Sequence, residues 1–512
     1  MVLIKIPLMF VQQRRRNKTV HGIGAPMTNA DVQLQGCPQH EVIIVQVLAI
    51  LPLVLRNIGL PWLLHGRRCD TSRFAFWLKF LVDLVLLVLP ALLAVTTWTS
   101  YLYFALISQS AFVLFVLGLV FYDACTNPNA PTLSQVLNKE IEDKHQPTRF
   151  FTYYRSLTMS LICAAILAVD FPLAFPSRFS KTRTYGHSMM DVGVAAIIFQ
   201  AGVGSGLRNL VKRVPSTKPR SHWLLSPTPI LFALGFGRTF VLLVLHYPHS
   251  VIEYGVHWNF FFTIAFVRVA NDIIPCQFPI LNAILVAAFQ VVVLLGFGLE
   301  DFVLKDGENL RDNIFSANAE GISSLIGYLL IFYIGLIIGQ FISTTENRVK
   351  SWAQRCGHLV LLALMFYCFQ VVAEGFFGPP SRRVANLTYI LSQAFGLVFA
   401  VACMVGVQLL TILLWSANIL EFFNGDNMFS NLDPCLAKTL GNSGLIYFLI
   451  SNILTGAVNQ VIGNTHGVSK ENSMLILTAY MSVSALIPHL FVYKNYKFEK
   501  PLPLVDKQSS VV

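Results

Sequence analysis

The stretch Leu387-Thr-Tyr-Ile-Leu-Ser-Gln-Ala-Phe-Gly-Leu-Val-Phe-Ala-Val-Ala-Cys-Met-Val-Gly-Val-Gln-Leu-Leu-Thr-Ile-Leu-Leu-Trp415 contains no Asp, Glu, Lys or Arg. About 20 apolar residues in a helix cross the hydrocarbon core of a bilayer. This run exceeds that length without a charge, so it reads as a transmembrane helix. Working outward from it, comparable runs lie near 42–63, 76–97, 101–121, 151–170, 188–207, 228–247, 258–271, 278–298, 321–343, 358–375, 441–462 and 473–493. That predicts about thirteen spans. Asn271-Asp-Ile-Ile-Pro275 interrupts the run around 258–298 and reads as a tight turn. Composition agrees. Of 512 residues, 55% are hydrophobic and 12% charged, against about 25% charged in a soluble domain. Mean hydropathy is +0.61. So few charges could not cover several soluble domains, and disordered, collagen-like and coiled-coil chains need other compositions. The fold class is therefore all-α, a polytopic integral membrane protein.

Residues 41–495 form the multi-span domain. Residues 1–40 read as a disordered extension and 496–512 as a basic cytoplasmic tail. Arg14-Arg-Arg16 follow the short apolar run at Met1–Phe10, the reverse of a signal peptide, so either Met1 or Met27 can serve as the start. Net charge is +11, from 37 Lys and Arg against 26 Asp and Glu. In a membrane protein, basic loops and headgroup contacts account for that excess. No basic stripe with interleaved aromatics lies outside the spans, so nucleic acid is not an expected partner. The nine cysteines form no CxxC pair. Neither a zinc site nor a disulfide framework is expected.

Basic clusters at Arg67/Arg68/Arg73, Arg208–Arg220, Arg348–Arg355 and Lys494–Lys507 fall on one side if the N-terminus is lumenal and the C-terminus cytoplasmic. Arg178, Lys181, Arg183, Arg382 and Arg383 then lie on the disfavoured side. Charges placed there need another reason, such as holding an anion or doing chemistry.

The richest stretch runs from Asp170 through Arg178, Lys181 and Arg183 to Asp191. Pro172 and Pro176 stop a helix and force an extended return. An acid at a helix C-terminus faces the negative end of the dipole, which raises its pKa, and burial acts the same way. Asp170 could then serve as a general base on a hydroxyl, with Lys181 stabilising an oxyanion. The competing reading is an ion pair that staples two helices. Glu253 and His257 share a face if their stretch is helical, but no adjacent residues complete a metal site. Together with Asn259 they also fit a lumenal polar patch above an aromatic belt. Asn318 and Glu320 sit at the mouth of a span, where they could bind a polyol headgroup. Capping of the helix is the favoured reading. Arg382 and Arg383, with Asn386, suit a phosphate or ordinary headgroup anchoring. Asn452 and Asn459 place amides inside a span, with His466 just beyond; such amides also bond helix to helix. Gly202, Gly204 and Gly206 lack the strand and lysine of a phosphate loop, so they read as helix packing. Asn386-Leu-Thr388 matches a glycosylation sequon too close to a span to be an easy acceptor.

Five separated blocks together resemble one family, the PIG-W-type inositol acyltransferases of glycosylphosphatidylinositol (GPI) anchor biosynthesis. They are Lys181-Thr-Arg-Thr-Tyr-Gly-His-Ser-Met-Met-Asp191-Val-Gly193, Glu253-Tyr-Gly-Val-His-Trp-Asn-Phe-Phe-Phe-Thr263, Ser316-Ala-Asn-Ala-Glu-Gly321, Ser381-Arg-Arg-Val-Ala-Asn386 and Leu454-Thr-Gly-Ala-Val-Asn459. The resemblance implies a multi-pass endoplasmic reticulum enzyme that moves a fatty acyl chain, typically palmitoyl, from acyl-CoA to the inositol of glucosaminyl-phosphatidylinositol. It implies Asp170 and Lys181 as the catalytic pair, with acyl-CoA a co-substrate and no metal or cofactor. A transporter or flippase of an anionic lipid or sugar phosphate remains the alternative, as does a non-catalytic scaffold of the GPI machinery. Neither would need the Asp/Lys pair.

Overall fold

The computed structural model describes residues 36–64, 73–126, 131–141, 148–211, 227–245, 253–274, 278–304, 313–416, 433 and 435–495. The predicted tail and all but the last residues of the predicted N-terminal extension lie outside them. In chain order, the principal helical segments are Gln39–Pro61 (α1), Arg73–Val95 (α2), Thr97–Tyr122 (α3), Arg149–Ala168 (α4), Val192–Val211 (α5), Pro227–Leu245 (α6), Phe260–Ile273 (α7), Pro279–Gly296 (α8), Ala319–Ser343 (α9), Val349–Phe377 (α10), Leu387–Leu414 (α11), Gly444–Ile462 (α12) and Lys470–Asn495 (α13). Ten of them are long and apolar enough to cross a membrane. Helices α5, α6 and α7 stand where spans were expected but are not among the ten found over the described residues, where α5 counts as a shorter apolar helix over Val192–Arg208. The break expected at Asn271–Pro275 falls slightly later, because α7 continues through Asn271 and Asp272 to Ile273. The chain is an all-α polytopic membrane protein.

Helix α4 is the hub. It packs against α2, α5, α11, α12 and α13, and against a short helix at Leu436–Asn442. Its buried face is made of small and aromatic residues, including Ser156, Ser160, Cys163, Ala164 and Tyr153. Helices α3, α8, α10 and α12 lie outside and turn apolar side chains such as Phe104, Phe115 and Phe289 outward, as lipid-facing helices do.

Helices α5 and α9 pack backbone to backbone, and the glycines explain it. A Cβ added at Gly202 would meet the Phe332 carbonyl oxygen at 2.2 Å; one at Gly335 would meet that of Phe199 at 2.3 Å. Small residues let membrane helices approach backbone to backbone, as expected for Gly202 and Gly206. Gly202→Ala should therefore lower the thermal unfolding midpoint in detergent, at a cost of about 1–3 kcal/mol. Gly237→Ala, which would meet nothing within 4 Å, should leave that midpoint unchanged or raise it. Equal midpoints for the two variants would contradict this account.

Buried charge also fills the opposite end of the bundle from the Asp170 turn. Arg56, fully buried in α1, donates through Nε to Asp83 Oδ1 at 2.7 Å and through Nη1 to Tyr153 Oη at 3.0 Å. Asp83 Oδ2 accepts from the backbone N–H of Ala437 at 3.1 Å, and Arg149 pairs with Asp433. This network ties α1, α2, α4 and the helix at Leu436–Asn442 together.

Candidate active site

Helix α4 ends at Ala168, and Asp170 follows in a turn before Pro172. The chain then crosses the end of the bundle without regular structure, apart from one short 3-10 turn at Ser177–Phe179, and re-enters as α5. Backbone bonds pin this crossing: Gly186 N to Pro380 O at 2.9 Å, and Cys37 N to His187 O at 2.7 Å. The loop at 253–259, the turn at 313–320 and the segment at 378–386 converge on it.

The distant blocks meet here. Lys181 Nζ donates to Glu253 Oε2 at 2.7 Å. Arg382 Nε lies 2.8 Å from Asp191 Oδ1, with both side chains buried. Asp191 Oδ2 also accepts from Thr182 Oγ1 at 2.7 Å. Arg383 donates to Glu320 at 3.3 Å and to the Val303 carbonyl at 3.0 Å. Asn459 Nδ2 donates to Asp170 Oδ2 at 2.8 Å. Arg178 pairs with Glu41 at 2.8 Å and donates to the Thr99 carbonyl. Arg178, Lys181, Arg382 and Arg383 are thus each matched by a carboxylate. Arg183 is exposed, and its carbonyl accepts from Arg383.

Asp170 and Lys181 are not joined to each other. Asp170 is held by Asn459 and Lys181 by Glu253. Burial raises the Asp170 pKa, while the Asn459 hydrogen bond and the charge of His466 pull it down; burial prevails. Glu253 is the opposite case. Burial pushes its carboxyl up, but Lys181, Arg382 and Arg238 outweigh burial and hold it below the usual carboxylate range. Burial lowers the Arg382 pKa, yet the carboxylate of Asp191 more than offsets this, so the guanidinium stays charged.

Several expectations need correction. Residues 253–259 are not helical, and Gly255 has φ +106°, so Glu253 and His257 do not share a helix face. Their roles separate: Glu253 grips Lys181, whereas the His257 side chain is exposed. Asn318 does not cap α9. Its Oδ1 instead accepts from the backbone N–H of His257 and Trp258, at 2.9 and 3.0 Å, and its Nδ2 donates to the Ile314 carbonyl. The residue that does cap is Asn259, whose side chain accepts from Phe261 N and Phe262 N at the start of α7. Asn386 is buried, accepting from Ser381 N and Tyr389 N and donating to the Pro379 carbonyl and to Glu300, which leaves its sequon inaccessible. Asn452 donates to the Phe448 carbonyl within α12.

Of these groups, Lys181, Asp191, Glu253, Arg382 and Asn452 line a cavity of about 450 Å³. Its walls are apolar side chains of α4 and α5, among them Leu157, Leu161, Ala165, Val169 and Ile197. Lys181, Asp191, Glu253, Tyr254 and Arg382 supply its polar end, and Asn452 also lines it. Asp170 is one residue beyond the lining residue Val169. The arrangement suits an amphiphile, with a long apolar part along α4 and α5 and a polar group against the charged end. The sequence reading missed Arg238, which also lines this cavity; a lone charge inside the apolar run at 228–247 was its signal.

A family model described as GWT1 matches residues 29–491. The chain belongs to the GWT1 family. It is 29% identical over 454 residues to the human glucosaminyl-phosphatidylinositol-acyltransferase PIGW, covering 81% of this chain and 88% of that protein. It is 32% identical over 450 residues to the GPI-anchored wall transfer protein 1 of Candida albicans, covering 79% and 86%. To the phosphatidylinositol-glycan biosynthesis class W protein of Dictyostelium discoideum it is 29% identical over 388 residues, covering 68% and 74%. The GWT1 match spans every segment that lines the cavity, from Gln46 to Asn452.

Proposed function

We propose that this protein is an inositol acyltransferase of GPI-anchor biosynthesis in the endoplasmic reticulum membrane, with its N-terminus lumenal and its C-terminus cytoplasmic. It moves a fatty acyl chain, palmitoyl, from acyl-CoA to the inositol 2-hydroxyl of glucosaminyl-phosphatidylinositol. The observation that carries the reading is the cavity, where an apolar channel ends against paired charges contributed by distant blocks of the chain. The names of the human and Dictyostelium relatives support the substrate class.

In this reading Asp170 takes the proton from the 2-hydroxyl as its oxygen attacks the thioester carbonyl carbon. Burial lifts the pKa of Asp170 towards that of a working base. The new C–O bond gives a tetrahedral intermediate, and Lys181, oriented by Glu253, meets its oxyanion. Collapse breaks the C–S bond and releases the CoA thiolate, which needs little help as a leaving group. The scheme calls on no metal or cofactor. Arg382 and Asp191 shape the polar end, while Asn259, Asn318 and Asn386 hold the loops that carry it.

Purified protein in detergent, given radiolabelled palmitoyl-CoA and glucosaminyl-phosphatidylinositol, should transfer label to the lipid. A folded protein that transfers none beside an active control enzyme would overturn the reading in favour of a transporter or scaffold. A second result follows from the pKa balance. Asn459→Ala removes a bond that favours the ionised carboxylate, so the Asp170 pKa should rise further. Base catalysis needs the ionised form, so the acid limb of the kcat/KM profile should move to higher pH. An unmoved limb, or one moved to lower pH, would contradict the role of Asp170.

A further inference from the structure

Arg238 lies in the second half of α6 and lines the cavity. The other two cations of the cavity are matched, Lys181 by Glu253 at 2.7 Å and Arg382 by Asp191 at 2.8 Å. Arg238 has no hydrogen-bond or ion-pair partner among the described residues. Glu253 acts on it through its charge but is engaged by Lys181. The lining therefore carries three cations against two carboxylates, Asp191 and Glu253. Arg238 is exposed, so a ligand entering the cavity can reach its guanidinium. Its planar fork matches two oxygens of a phosphate.

We propose that Arg238 binds a phosphate ester of the substrate, namely the phosphodiester of the inositol lipid. The proposal rests on the acyltransferase reading and names a substrate-binding residue for it. The choice of phosphate follows from the chemistry of the acceptor. In an inositol phospholipid the phosphodiester sits on the ring carbon adjacent to the one bearing the 2-hydroxyl. A grip on the phosphate therefore fixes the attacking oxygen within a few bonds of the guanidinium, which acts on the same Glu253 that holds Lys181. A CoA phosphate offers the same recognition chemistry. A flexible pantetheine arm separates it from the thioester, so a grip there would position the reacting carbon far less tightly.

The test uses the full chain in detergent with Arg238→Gln and Arg238→Lys. Rates are taken against glucosaminyl-phosphatidylinositol at saturating palmitoyl-CoA, and the reverse. Losing a charge-assisted bond to phosphate should raise the lipid KM about tenfold or more in R238Q, and less in R238K. The palmitoyl-CoA KM should stay within about threefold of wild type. A rise confined to the palmitoyl-CoA KM would move the phosphate to CoA and overturn the lipid assignment. Two unchanged KM values would overturn the anion site. A second arm needs no turnover: equilibrium binding of fluorescent phosphatidylinositol to wild type and R238Q. Binding weakened about tenfold or more supports the site even if wild type transfers no acyl chain, and the failure would then belong to the acyltransferase reading. Equal binding by the two proteins would overturn the site. R238K, which keeps the positive charge, serves both arms should R238Q fail to elute as a folded protein.

Discussion

Asp170→Asn should cut kcat for acyl transfer by about 10²–10⁴-fold, the usual contribution of a positioned general base, while the protein stays folded. The substitution keeps the shape of the side chain and removes only its basicity. Asn459 Nδ2, now 2.8 Å from Asp170 Oδ2, can donate equally well to the new amide oxygen. Burial disfavours the charged carboxylate, so a neutral amide there should leave the thermal midpoint unchanged or raise it. The lipid KM should change little, because proton abstraction matters in the transition state and not in the ground state. Lys181→Ala is a less clean test. It removes the oxyanion partner but also strands the Glu253 carboxylate, which Lys181 holds at 2.7 Å, so lost activity could reflect a collapsed loop. Asp170→Asn with near wild-type kcat would refute the assignment, as would loss of activity only in unfolded protein.

What the sequence reveals and conceals follows from the range of each signal. Membrane class and span positions are legible because hydrophobicity is a local property of long uncharged runs, as at Leu387–Leu414. Helix α7 is harder to classify because its 14 residues are fewer than a crossing needs, although the run they sit in is apolar. The turn after Ala168 is legible because Pro172 and Pro176 leave the chain few options. Partnerships are not legible. Lys181 and Glu253 are 72 residues apart, and Asp170 and Asn459 are 289 apart; no periodicity links such positions. The competing reading of an ion pair between Asp170 and Lys181 does not hold, since each has its partner on another element. Glu253 and His257 looked like a helix face because their spacing fits one. The left-handed glycine between them, Gly255, breaks that pattern. The Arg56–Asp83 pair went unnoticed because each residue was absorbed into an apolar run, although a charge inside a span is itself a signal.

Arg382→Met should be the most destabilising single change at the site, costing about 3–5 kcal/mol. The Arg382 and Asp191 side chains are 6% and 1% exposed, with Nε and Oδ1 2.8 Å apart. Removing the guanidinium leaves the buried Asp191 carboxylate with Thr182 N–H and Thr182 Oγ1 as donors, and with no cation paired to it among the described residues. That penalty belongs to the stranded charge more than to the lost attraction. Arg382→Met combined with Asp191→Asn should therefore recover much of the loss, because it buries no unpaired charge. The exposed pair Arg348–Glu140 gives the contrast, with side chains 57% and 77% exposed and 4.0 Å apart. Breaking it should cost about 0–1 kcal/mol. Unfolding in detergent, followed for both single variants and the double, measures the coupling between Arg382 and Asp191 directly. A double variant as unstable as Arg382→Met alone would show that Arg382 acts through packing, for example against the Tyr254 ring 5.9 Å away, and not through its charge on Asp191.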